Sequence, residues 1–219
     1  MKLKKLNEKF IRSTLKHYEK DGEHLLNNKL LKLFKTFNDE SDKSETRIKV
    51  AALNTLYSTA IKNINPVVTA ILKASSQNQP KRIDEYVEFV DLISVAKWKN
   101  KNTGISYERN NLSFASKYVH FLSKARTPIY DSYIWIIIKG YLGQNGLAKK
   151  SFTKPKNYQE FYSTFSKFKS EFNLNKFSNY ELDKFLWQYG RMSIAAIEEE
   201  LGISIDKAKS ELQRRIKIY

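Results

Sequence analysis

The sequence contains no cysteine, which excludes disulfides, thiolate nucleophiles, thiolate zinc sites and cysteine-ligated iron–sulfur clusters. An intracellular, cytoplasmic setting fits that absence. Glycine occurs only 7 times and proline only at 66, 80, 128 and 155, so few positions break a helix or force a turn. No apolar run approaches the length of a bilayer span, and Ile134 to Ile138 reads as part of a buried helix, so no membrane partner is expected. The basic start Met1-Lys-Leu-Lys-Lys-Leu6 is interrupted by polar residues before any stretch of signal length. His17, His24 and His120 lie far apart with no metal-ligand spacing, so neither a metal site nor a cofactor is expected.

Acidic residues are also in deficit. Lys and Arg number 39 against 23 Asp and Glu, a formal net charge of +16 that favours polyanionic partners, nucleic acid first among them. The plainer reading of the same excess is a solvated lysine-rich surface. The 219 residues, 41% hydrophobic and 13% aromatic, suffice for a sizeable core in one domain or in a large lobe plus a small one, expected to be monomeric.

Apolar residues recur at three- and four-residue intervals, which predicts an all-α fold of about ten helices with no competing strand pattern. Leu3, Leu6, Phe10, Leu15 and Tyr18 form one stripe, and Leu26, Leu30, Leu33, Phe34 and Phe37 a second, with a break at Asp21-Gly22. Further helices are expected from Glu45 to Thr59, after Pro66, from Arg82 to Trp98, and over 113–123, 131–142, 157–171, 178–190 and the final twenty-odd residues. The polar Lys97–Gly104 stretch reads as a surface loop. Between Lys149 and Lys169 the helical rhythm of Tyr158, Phe161, Phe165 and Phe168 suggests core aromatics, with interleaved lysines available to phosphates.

The most informative pair is Lys117, within Leu112-Ser-Phe-Ala-Ser-Lys-Tyr-Val-His-Phe-Leu122, and Asp131, within Thr127-Pro-Ile-Tyr-Asp-Ser-Tyr133. On a helix ending near Ser123, Lys117 lies roughly 9 Å back along the axis. The segment from Lys124 to Tyr130 spans about 20 Å when extended, enough to return Asp131 to the amine. Asp131 begins the next amphipathic run, where a helix start favours the ionised carboxylate. An amine and a carboxylate converging on one sugar carbon can break a glycosidic bond: the carboxylate stabilises the cation-like transition state and the amine captures C1′. Taken singly, Lys117 is an ordinary helix lysine and Asp131 an ordinary N-cap.

These residues resemble the helix-hairpin-helix base-excision DNA glycosylases, whose bifunctional members carry a nucleophilic lysine on the second hairpin helix and an assisting aspartate at a later helix start. The spacing between the two residues here is 14. In place of the usual Gly-containing turn this chain has Asn110-Asn-Leu-Ser-Phe-Ala115, closest in pattern to the archaeal 8-oxoguanine glycosylase branch, whose aspartate is likewise followed by Ser. The resemblance implies a helix-hairpin-helix element, a central DNA cleft and DNA as the partner. It also implies excision of a flipped base, with Lys117 as nucleophile, Asp131 assisting and strand cleavage as an accompanying lyase step. The substrate stays open between an oxidised purine such as 8-oxoguanine, in repair, and a phage-type modified cytosine such as glucosylated hydroxymethylcytosine, in defence.

Around that pair, Lys97, Lys99, Lys101, Asn111, Ser113, Lys124 and Arg126 are candidate DNA contacts. Tyr57, Ser58 and Thr59 fall where the family fills the gap left by an extruded base. Trp98, Tyr133 and Trp187 are candidate walls of a base pocket, although core packing explains an aromatic residue equally well. Residues 193–219, with Gly202 in a turn, have the pattern of either a C-terminal helical cap or a helix-turn-helix. The latter supports a rival class, a non-enzymatic DNA-binding protein.

Overall fold

Local sequence signals set most of the helix starts. Asn7 caps the first helix by accepting the Phe10 N–H at 2.9 Å, and Asp42 caps the third by accepting that of Glu45 at 2.8 Å. Ser178 and Glu181 form a reciprocal capping box, and the helix they open ends at Gly202, whose φ of +62° is costly for any residue with a Cβ.

The computed structural model describes residues 1–77, 79–100, 102–147 and 151–217. These form α1 (Glu8–Lys20), α2 (Glu23–Thr36), α3 (Lys43–Leu56), α4 (Asn65–Gln77), α5 (Ile83–Ser94), β1 (Val95–Lys99), β2 (Ser106–Asn110), α6 (Leu112–Leu122), α7 (Ser132–Gln144), α8 (Tyr158–Glu171), α9 (Asn179–Leu201) and α10 (Ile205–Lys217). The mainly helical expectation holds. No described helix is long and apolar enough to cross a membrane.

Two expectations need correction. Helix α5 stops at Ser94, and Val95–Lys99 pairs antiparallel with Ser106–Asn110, so a strand hairpin stands where a longer helix and a surface loop were expected. The expected helix over 178–190 continues to Leu201, so residues 193–201 are its last turns, and only α10 is a separate C-terminal helix.

The chain divides into two compact units. The first comprises Met1–His24, Asp131–Lys156 and Ser163–Tyr219. In it α9 packs on α1, α7 and α10, and α10 also packs on α7. Helix α7 is buried on nearly every side from Ile134 to Ile138, the mark of a core helix. The approach of α7 to α10 requires Gly140, because a Cβ there would lie 2.8 Å from Leu3 Cδ1 and 3.2 Å from Ile216 Cγ2. Helix α10 buries Ala208, Leu212 and Ile216, so it is a packed element of this unit.

The second unit comprises Leu25–Tyr130 and Asn157–Tyr162. Its centre is α6, which packs on α5 and α3, while α4 joins α3 and α5 and also meets β1. Tyr158 and Phe161 in this unit, like Phe165 and Phe168 on the part of α8 that belongs to the first, are fully buried, as their helical spacing predicts, each contributing roughly 1.5–3 kcal/mol.

Candidate active site

Within the second unit, α6 carries Lys117 on a helix buried over most of its length. Lys117 is itself only 6% exposed. Its amine donates to Ser113 Oγ, one turn earlier, at 2.6 Å and lies 5.6 Å from the centroid of the Tyr57 ring. Tyr57 caps the C-terminus of α3, and its hydroxyl donates to the buried Asn27 side chain at 2.5 Å. The ring is therefore held from behind while its face meets the ammonium, an attractive electrostatic contact.

The segment after Tyr57 is strained. Ser58 and Ala60 have φ of +46° and +55°, a region that L-residues adopt at a cost. One side chain holds the turn in that shape: Asn54 Oδ1 accepts from Thr59 Oγ1 at 2.8 Å and from the Ile61 N–H at 3.0 Å, while its Nδ2 donates to the Ile61 carbonyl at 2.9 Å. From the hairpin, Arg109 donates to the Ala60 carbonyl at 2.9 Å. Lys117, Tyr57, the Ser58–Ala60 turn and the hairpin are thus linked contact by contact within one unit.

Beside Lys117, a buried polar cluster supports α6. Tyr118 donates a short hydrogen bond to Glu40, whose other carboxylate oxygen pairs with the fully buried Lys49, and Lys49 also donates to the Phe37 carbonyl at 3.0 Å. Burial, and after it the Glu40 charge, pushes the Tyr118 hydroxyl well above its usual range. The C-terminal side of α6 is anchored by His120, whose Nδ1 meets the Thr127 carbonyl at 2.6 Å and so acts as the donor. Ser116 Oγ accepts from the Tyr130 N–H at 3.0 Å, and Tyr158 donates to the Pro128 carbonyl at 2.5 Å. The segment leading to Asp131 is therefore fixed at Thr127, Pro128 and Tyr130. Sequence reading gave none of Glu40, Lys49, Ser116 or His120 a role.

The remaining candidates divide. Lys97, Lys99 and Lys124 are exposed, and Lys97 pairs with Glu108 across the hairpin at 2.9 Å. Lys101 lies outside the described residues. Asn111 is buried and closes the base of the hairpin through its N–H to the Ser94 carbonyl at 2.7 Å. Arg126 is exposed, yet its guanidinium donates to the carbonyls of Ser123 and Lys81 at 3.1 and 3.0 Å and packs over Tyr86. Trp98 stacks on Tyr107 across the hairpin, with centroids 5.5 Å apart and planes 15° from parallel.

Asp131, Tyr133 and Trp187 belong to the first unit. Asp131 is the N-cap of α7, its carboxylate accepting the Tyr133 N–H at 2.8 Å, so the expected capping role is present. Tyr133 and Trp187 are brought edge to face at 6.5 Å, and Tyr133 packs against Gly190, where a Cβ would lie 2.9 Å from the tyrosine Cβ. Burial, and then the Asp131 carboxylate, push the Tyr133 hydroxyl upward. Trp98 lies in the other unit from this pair. In α10, Arg214 and Arg215 are engaged by Glu200 and Glu211. Among the described residues, no group of three or more His, Asp or Glu is placed to hold a metal ion.

The HI_0787_N family model, described as an N-terminal domain, matches residues 8–126, a stretch that takes in Lys117, the Tyr57 turn and the hairpin and ends before Asp131. No curated protein and no solved structure matches. More than half of the chain falls within that match, and the chain belongs to the HI_0787_N family of N-terminal domains.

Proposed function

We propose that the protein is a DNA glycosylase in which Lys117 is the nucleophile and Asp131 the assisting carboxylate. The observation that carries this reading is the burial of the Lys117 amine between Ser113 Oγ and the face of Tyr57. A lysine serving only solubility would extend into water, whereas this amine is held inside the unit against Ser113 and Tyr57, as a nucleophile placed for covalent catalysis would be. The basic composition, the exposed lysines on the hairpin and the strained, exposed turn at Ser58 support a nucleic-acid partner.

In the proposed step the Lys117 nitrogen lone pair forms a bond to C1′ of an extruded nucleotide. The C1′–base bond breaks with its electron pair going to the base, which leaves after gaining a proton. After the attached nitrogen gives a proton to Asp131, opening of the C1′–O4′ bond returns that proton to O4′ and leaves a protonated imine at C1′, from which β-elimination can cleave the strand. Asp131 stabilises positive charge at the sugar and accepts the amine proton. The substrate is an oxidised purine or a bulky modified cytosine of the phage type, in repair or in defence respectively.

The test is a screen of oxidised, uracil-containing and phage-modified duplexes, reading free bases by mass spectrometry and trapping the imine with borohydride. Wild type should release one class of base and give a covalent adduct, and Lys117→Gln should lose the adduct. Equal base release by both proteins overturns the assignment of the nucleophile.

A further inference from the structure

The β1–β2 hairpin stands out from the rest of the second unit because every residue of β2 is exposed. Its register places Ala96 opposite Arg109 and Trp98 opposite Tyr107, and Asn100 donates its N–H to the Ile105 carbonyl at 2.8 Å. Because side chains alternate along a strand, Ile105, the Trp98–Tyr107 stack and Arg109 form a row on one face, with Lys97, Lys99 and Glu108 on the other. Along that row Ile105 is 53% exposed and Tyr107 42% exposed. A tip built for packing against its own chain would bury these two.

The tip is shaped by Asn100, whose Oδ1 accepts the N–H groups of Asn102 and Thr103 at 2.9 and 3.2 Å, and by Gly104, whose φ of +69° lets the chain return. Charge indicates the occupant. From Val95 to Asn110 the sequence has three lysines and one arginine against a single acid. A parallel aromatic stack beside an aliphatic tip and a cation suits a base, which offers a flat π-face next to an anionic phosphate.

We infer that the hairpin is a stacking wedge for unpaired nucleic acid: the Trp98–Tyr107 pair receives the face of a base, Ile105 enters an opened base step, and Arg109, on the same face, meets a flanking phosphate. The inference takes its partner class from the proposed function but does not need the Lys117 chemistry.

Anisotropy titrations of the full chain with labelled oligo-dT, and with an abasic strand of equal length, test it at low and moderate salt. Tyr107→Ala should weaken oligo-dT binding by about tenfold and leave abasic-strand binding unchanged, because only stacking is lost. Ile105→Ser, at the tip, should reduce the preference for a duplex with an unpaired base over an intact duplex, which guards against a Tyr107→Ala effect caused by disturbed strand pairing. Wild type that fails to bind oligo-dT, or Tyr107→Ala that binds both strands as wild type does or loses both equally, overturns the proposal. Base release is scored separately. Stacking without base release removes the glycosylase reading and keeps the wedge, whereas base release with unaltered Tyr107→Ala binding does the reverse.

Discussion

Ser116 Oγ accepts a hydrogen bond from the Tyr130 N–H at 3.0 Å and donates to the Ser113 carbonyl, also at 3.0 Å. One hydroxyl thus joins α6, at the residue before Lys117, to the backbone at the residue before Asp131. Ser116→Ala strands a buried N–H and should cost about 1–3 kcal/mol in urea unfolding. Under the proposed chemistry, base release should fall further than stability alone explains, because the backbone next to Asp131, at Tyr130, loses its tie to α6. An unchanged unfolding midpoint would mean that the hydroxyl contributes nothing.

The Glu40–Lys49 pair predicts an asymmetric pair of variants. Lys49→Met leaves the Glu40 charge buried with one partner gone and should destabilise the protein by about 3–5 kcal/mol. The double variant Glu40→Gln/Lys49→Met removes both charges while an amide remains for Tyr118, so it should recover most of that loss. Denaturant midpoints of the two variants settle the point, and equal losses would contradict it.

Gly190 is predicted to tolerate no side chain. In Gly190→Ala the new methyl would sit 2.9 Å from Tyr133 Cβ and 3.1 Å from the Tyr133 carbonyl oxygen, and backbone cannot step aside as a flexible side chain can. A loss of about 1–3 kcal/mol is expected. Near-ultraviolet circular dichroism should change as well, since Tyr133 and Trp187 are in edge contact.

Acid should loosen α10 early. Arg214 and then Arg215 hold the Glu211 carboxyl down to about 2 from its ordinary 4.5. A folded-state value below the unfolded one means that the stabilisation is fully present above about 4.5 and is lost as pH falls toward 2. The effect should be modest and should shrink with added salt, as expected for a surface network. Thermal melts between pH 5 and 3 should show a falling midpoint in wild type and a flatter profile in Glu211→Gln.

Helices were legible in the sequence wherever a helix buries one stripe or is buried all round, as for α1, α7 and the aromatic side of α8. The hairpin was not, because strands are recognised by alternation against a core and β2 has no buried side: Ser106-Tyr-Glu-Arg-Asn110 shows only polar residues and one exposed ring. The usable signal was the turn chemistry of Asn100 and Gly104 between two aromatics. Lys117 and Asp131 stood out by residue type and spacing, and the cap at Asp131 follows from its place before a helical run. Asn54, Ser116, Glu40 and Lys49 did not stand out, because each acts through partners brought together only by tertiary folding. Residues 193–201 misled because their repeat suits a short helix and the end of a long one equally.

The guanidinium of Arg109 rests on the carbonyl of Ala60, within a turn whose neighbour Tyr57 faces Lys117. Under the proposed function, a phosphate that took up the Nη1 donor of that arginine would compete with the Ala60 carbonyl for it. Under the same proposal, binding at the strands and the shape of the turn would then be linked, and by reciprocity a ligand that remodelled the turn would alter how tightly the strands hold theirs.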